Sequence, residues 1–74
     1  METLLNAKQG KEVEIVSFNG GSNFVLKLYK LGIQEGVKIK IKKKDKICPI
    51  LLDVNGSTVA IGRGMASKIL VKEN

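Results

Sequence analysis

Asn55-Gly56 constrains this chain more than any other pair of residues in it. On either side lie β-prone runs, Ile50 to Val54 and Ser57 to Ile61. A two-residue type I′ turn needs positive φ at both central positions, and Asn-Gly tolerates that better than other pairs. The spacing therefore predicts an antiparallel hairpin, to which the other elements must be fitted.

The next clearest signal is VKIKIKKKDK, residues 37 to 46. Val37, Ile39 and Ile41 alternate with Lys38, Lys40 and Lys42, the period-two pattern of a half-buried strand. Lys43 to Lys46 loses the alternation and is expected to be a loop. Pro49 can open the following strand but cannot donate within it. Upstream, EVEIVSF (Glu12 to Phe18) is β-branched and aromatic and reads as a strand.

Asn19-Gly20-Gly21 interrupts that strand with a turn, for which two glycines supply positive φ. Ser22 is a plausible N-cap, and Phe24, Val25, Leu28 and Leu31 then form a helical stripe. Gly32 stands where a left-handed helix terminator belongs, with Lys27 and Lys30 in the last turns, where cations suit the helix dipole. Beyond the hairpin, Gly62-Arg63-Gly64 ends a strand, Met65 to Lys68 allows one helical turn, and Ile69-Leu70-Val71 reads as a short last strand. The fold class is mostly β: a small, partly closed barrel with one short α-helix after the first long strand.

Residues 1–74 are expected to form one domain. A chain this short buries about 60% of its unfolded surface, enough for one modest core. Its longest apolar run, Ile47 to Leu52, is far below the roughly 20 residues of a membrane helix. METLLNAKQGKEV shows no basic segment followed by an apolar one, so no secretory signal is visible and a cytoplasmic location is expected. One cysteine and no histidine exclude a structural zinc site with the usual ligands, so packing must stabilise the core.

The same residue list bears on chemistry. Nothing pairs Cys48 or a serine with a base, and no phosphate-binding loop motif is present, so no catalytic residues are assigned. Glu12 and Glu14 share a strand face, but two carboxylates beside Lys11 read as a solvated face, and no metal ligands are assigned. Asp53 reads as solvated or turn-capping.

One set of pieces, taken in order, resembles a known family. Gly20-Gly21, Leu31-Gly32-Ile33, Gly36, Pro49-Ile50, Val59-Ala60-Ile61-Gly62-Arg63, Ala66 and Ile69-Leu70-Val71 are similar to the FeoA family, small accessory proteins of bacterial ferrous iron uptake. The resemblance runs from about Leu4 to Val71. It implies an SH3-like barrel, the fold also found at the C-terminus of iron- and manganese-dependent repressors. It further implies an accessory role on FeoB, the membrane Fe(II) transporter with a cytosolic GTP-binding domain, with iron as the transporter's cargo and no intrinsic cofactor. Two features depart from the family's common pattern. Lys27 stands where many members have arginine, and the loop before Pro49 is mostly charged.

The charge distribution frames the partner question. Of the net +6, residues 38 to 46 contribute +5, from six lysines and one aspartate. Lys38, Lys40 and Lys42, extended by Lys43, Lys44 and Lys46, can form a docking row for an acidic surface. Tyr29, between Lys27 and Lys30, can anchor such a contact or pack over the barrel end. The same lysines can instead guard an edge strand against aggregation. A non-specific nucleic-acid grip is the rival, although the three aromatics lie outside the lysine segment and Arg63 is the sole arginine. A metal-sensing domain is a further alternative, without a DNA-binding helix pair to regulate. If the row docks, charge reversal at Lys38, Lys40 and Lys42 is expected to weaken binding without unfolding.

Overall fold

The computed structural model describes residues 1–73. Strand β1 (Glu2–Thr3) leads into a 3-10 turn (Leu4–Asn6), then β2 (Glu12–Phe18), helix α1 (Ser22–Lys30) and β3 (Lys38–Lys43). The remainder is β4 (Ile50–Val54), β5 (Ser57–Ile61), the single-turn helix α2 (Arg63–Ala66) and β6 (Ile69–Glu73). All strand pairs are antiparallel, in the order β1-β6-β2-β3-β4-β5. The sheet does not close: β1 and β5 are its edges.

The hairpin forms as its Asn-Gly pair requires. Asn55 and Gly56 both have positive φ, 52° and 87°, and Val54 pairs with Ser57 directly across the turn. Asp53 caps it, its Oδ1 accepting the Gly56 N–H at 2.9 Å.

One face of a single sheet must find apolar cover, and here the sheet supplies most of it by curling on itself. Val13, Ile15, Ile39, Ile41, Ile50, Leu52, Ile61, Ile69 and Val71, from five strands, share one buried cluster with Leu4, Leu28, Ile33 and Ala66. The molecule is nearly isometric, 28 × 26 × 24 Å, as a rolled sheet should be.

Two β-bulges assist the bend and also correct the facing of side chains. In β2 the register against β6 shifts between Ile15 and Ser17, so Val16 is the extra residue. That shift changes the parity after Val13 and Ile15 and lets Phe18 pack on the core. In β3 the register against β4 shifts between Ile41 and Lys43. Strict alternation after Ile39 and Ile41 would turn Lys43 inward; with Lys42 as the extra residue, both lysines stay exposed. Lys43 therefore belongs to the strand rather than to the expected loop.

The N-terminal segment carries more than its sequence announces. Leu4 is fully buried, Ala7 nearly so, and β1 pairs with β6 through Glu2↔Val71 and Thr3↔Leu70. Met65 to Lys68 was the expected helical turn; the turn begins two residues earlier, at Arg63, with Gly62 as its N-cap.

Helix α1 differs from expectation at both ends. Gly21 is the N-cap, and Ser22 is the first helical residue, with no side-chain capping bond. Neither Gly20 nor Gly21 has positive φ. Gly20 is needed for space instead: a Cβ there would lie 2.5 Å from the Phe24 ring. At the C-terminus Leu31 is the cap and Gly32, at φ 84°, reverses the chain as expected. The Gly32 N–H donates to Tyr29 O and the Ile33 N–H to Leu28 O, both at 3.0 Å, which is the Schellman pattern. The reversal returns Ile33 to the core and leaves Leu31 38% exposed, so Leu31 is not part of the buried stripe.

Candidate functional site

The lysines of β3 do face water, alternating with buried Ile39 and Ile41. β3 is nevertheless an interior strand, between β2 and β4. An interior strand needs no guard against edge-to-edge pairing, so the topology overturns the edge-guarding explanation for Lys38 and Lys40.

Their neighbours decide what kind of face they make. Lys40 lies opposite Glu12 on β2 and opposite Asp53 on β4. Lys38 lies opposite Glu14, which in turn faces Lys72 on β6, with Glu14 Oε2 3.8 Å from the Lys72 Nζ. Two cross-strand rows result, Lys72–Glu14–Lys38 and Glu12–Lys40–Asp53. Opposite charges in direct cross-strand register stabilise a sheet by about 0.2–1 kcal/mol per pair. A run that looks uniformly basic in one dimension becomes alternating charge in two.

The rest of the basic run has its own ties. Lys42 Nζ donates to Thr58 Oγ1 at 2.9 Å, bridging toward the β5 edge. Lys43 Nζ lies 3.7 Å from the Asp45 carboxylate. Lys44 is half-buried: its Nζ donates to Ala7 O at 2.8 Å and its N–H to Gln9 Oε1 at 2.9 Å. It fastens the loop to the N-terminal segment, in place of the expected extension of the row. The Arg63 guanidinium donates to the Asp45 carbonyl, fixing the loop from the other side. Lys46 is exposed beside Ile47, which is 91% exposed.

The second expected group, Lys27, Tyr29 and Lys30, lies on α1. Here an apolar surface remains uncovered: Leu26 is 52% exposed, Tyr29 40% and Leu31 38%. Ser22, Val25, Leu26 and Tyr29 line a shallow groove along the helix. Leu26 was absent from the expected site because it lies off the helical stripe; an apolar residue between Val25 and Lys27, on the outward side, was the available clue.

Tyr29 takes up the packing role, one of the two expected for it. Its ring meets Phe18 edge-on, with centroids 6.2 Å apart, while its hydroxyl donates to Glu35 Oε1 at 2.7 Å. That bond favours the carboxylate and the neutral phenol. It holds the Glu35 carboxyl below its usual range, helped by a backbone hydrogen bond, and raises the Tyr29 phenol.

With this geometry in hand, comparison with known proteins places the chain. The FeoA domain model matches residues 2–73. This chain belongs to the FeoA family. It is 36% identical over 73 residues to a Methanocaldococcus jannaschii protein named "Putative Fe(2+) transport protein A", covering 99% of this chain and 88% of that one. The crystal structure of an iron uptake regulatory protein, FeoA, superposes with a TM-score of 0.89 at 26% identity, covering 99% of this chain and 96% of that one. The apo form of the manganese-activated repressor ScaR superposes at 0.90 with 22% identity, over 99% of this chain and 35% of the repressor, a likeness of fold.

In this FeoA-family chain the motif glycines have structural work. Gly32 terminates α1, and Gly36, at φ 87°, occupies the third position of a turn in which the Val37 N–H donates to Gln34 O at 3.1 Å. Among the described residues no three His, Cys, Asp or Glu side chains come together as a metal cluster, and Cys48 is exposed as a free thiol. No helix among them is long and apolar enough to cross a membrane.

Proposed function

We propose that the chain is an accessory component of ferrous iron transport, docking on the cytosolic GTP-binding part of the transporter FeoB and performing no chemistry of its own. Family membership supports the transport role. The observation that carries the docking mode is the exposed apolar strip of α1 along Val25, Leu26 and Tyr29, with Lys30 at its margin. Protein interfaces concentrate affinity in aromatic and aliphatic anchors at the centre and place charges at the rim, where they steer and orient.

The β3 lysines have the lesser part in this reading, since Lys38 and Lys40 stand opposite carboxylates. The same pairing weakens the nucleic-acid alternative, because phosphates would meet Glu12, Glu14 and Asp53 in the same rows.

The test is a pull-down of the transporter's cytosolic domain by this chain, with and without guanine nucleotide. Leu26→Asp places a charge in the strip without touching the core and is expected to abolish capture while leaving the fold intact. Undiminished capture by this variant would remove α1 as the docking face. Absence of capture by the unaltered chain in every nucleotide state would remove the transporter domain as the partner.

A further inference from the structure

The two edges of the sheet are managed differently. β1 is only two residues long and so offers little template for another strand. β5 has five residues, Ser57 to Ile61, with no charge, no proline and an unbroken register against β4. Its own residues therefore supply no charge, proline or bulge to block the exposed edge.

The register shows what that edge presents. In a two-residue hairpin the closing pair, Val54↔Ser57, is hydrogen-bonded, and bonded and non-bonded pairs then alternate. Ser57, Val59 and Ile61 thus direct their backbone groups toward β4. Thr58 and Ala60 direct theirs outward, at the end of the strand order, and both residues are exposed. Two N–H donors and two carbonyl acceptors remain available to an added strand.

The edge also carries a charge marker. Lys42, the extra residue of the β3 bulge, reaches across β4 to hydrogen-bond Thr58 Oγ1, which sets a cation on the outer face at the edge. A strand paired with Thr58 and Ala60 would bring its own outer-face side chains beside that ammonium. A second copy of this chain would bring a second Lys42 there, like charge against like charge, in a molecule already at +6. A carboxylate at that position is complementary. On the inner face, half-buried Val59 offers apolar contact.

We infer that the β5 edge, through the outward backbone groups of Thr58 and Ala60 and the ammonium of Lys42, accepts an extended protein segment in which acidic and apolar residues alternate. This surface is separate from the α1 strip, and the inference holds whichever partner α1 docks. The mode is strand addition: main-chain bonds provide affinity and alternate side chains provide selectivity.

The inference can be tested on the full chain by NMR, titrating it with a synthetic peptide of alternating glutamate and valine. The expected result is amide hydrogen exchange slowed on the order of tenfold or more at Thr58 and Ala60. Binding should weaken as salt rises, and Lys42→Gln should reduce the affinity several-fold. Ala60→Pro removes one outward N–H without removing a bond to β4 and is expected to abolish binding in a folded chain. If that variant does not fold, Thr58→Glu, which sets a carboxylate against those of the peptide, must give the same loss. Equal binding of a lysine–valine peptide, or protection confined to other strands, would overturn the inference. Protection of Thr58 and Ala60 that grows with protein concentration alone would also overturn it, in favour of self-pairing.

Discussion

Tyr29 shows how a single residue divides its chemistry between fold and surface. Its ring is held edge-on by Phe18 and its hydroxyl by Glu35, yet two-fifths of it remains in contact with water. The Glu35 carboxyl has a lower pKa in the folded chain than in the unfolded one. Its contribution to stability is therefore present above the unfolded value and lost as pH falls through the folded one. NMR titration is expected to show Glu35 ionising below an ordinary glutamate, and Tyr29→Phe should move that midpoint upward while leaving the ring contact in place. An unmoved midpoint would mean that the hydrogen bond does not persist in solution. Leu28, fully buried at the helix terminus, belongs to the opposite class. Leu28→Ala, and likewise Ile39→Ala, should lower unfolding free energy by about 2–5 kcal/mol in denaturant titration.

At the scale of elements, the β3 strand is the instructive case. Reversing Lys38, Lys40 and Lys42 together was expected to be structurally silent because they face water. The register changes that expectation, since glutamate at 38 would face Glu14 and glutamate at 40 would face both Glu12 and Asp53. Lys40→Glu is expected to lose about 0.5–1 kcal/mol more than Lys40→Gln in denaturant titration, a gap that should shrink at high salt. Equal losses for the two variants would show that the cross-strand charges do not interact. Helix α1 gives a backbone counterpart. Gly32→Ala forces a Cβ into the left-handed region and should cost about 1–2 kcal/mol. The added Cβ would lie 3.4 Å from the Val54 side chain, leaving little slack to relieve that strain.

The whole molecule depends on its ends meeting. A chain of this size is stable by only about 0.05–0.15 kcal/mol per residue, so few core groups can be spared. Leu4 supplies one, and the 3-10 turn that carries it packs against β6 and α2. Leu4→Ala is expected to cost about 2–5 kcal/mol, as much as a truncation in a central strand. Removing residues 1 to 6 should abolish the cooperative thermal transition, a loss visible by circular dichroism. A sharp transition surviving that deletion would show that the first strand is dispensable to the core.

Much of this architecture was legible in the sequence because the signals are local. Asn55-Gly56 determines its own turn through the positive φ that both residues accept, and Gly32 ends α1 for the same reason. The alternation Val37 to Lys42 separates a buried from a wet face whatever lies beside it. The resemblance carried by the glycines, Pro49-Ile50 and the closing Val-Ala-Ile-Gly-Arg run pointed to the family that residues 2–73 match. What the sequence could not state is adjacency. β1 is two residues with no period to detect, and it exists because β6 offers an edge. The two bulges are answers to pairing constraints, which turn Phe18 inward and keep Lys43 in water. Whether six lysines form a basic patch depends on what is registered opposite them, and Glu12, Glu14 and Asp53 arrive there from strands distant in sequence. Composition and local pattern determined which residues this protein buries and where its chain turns. Only the tertiary structure decided which charges meet and which edge stays open, because pairing between strands is a property of the folded sheet.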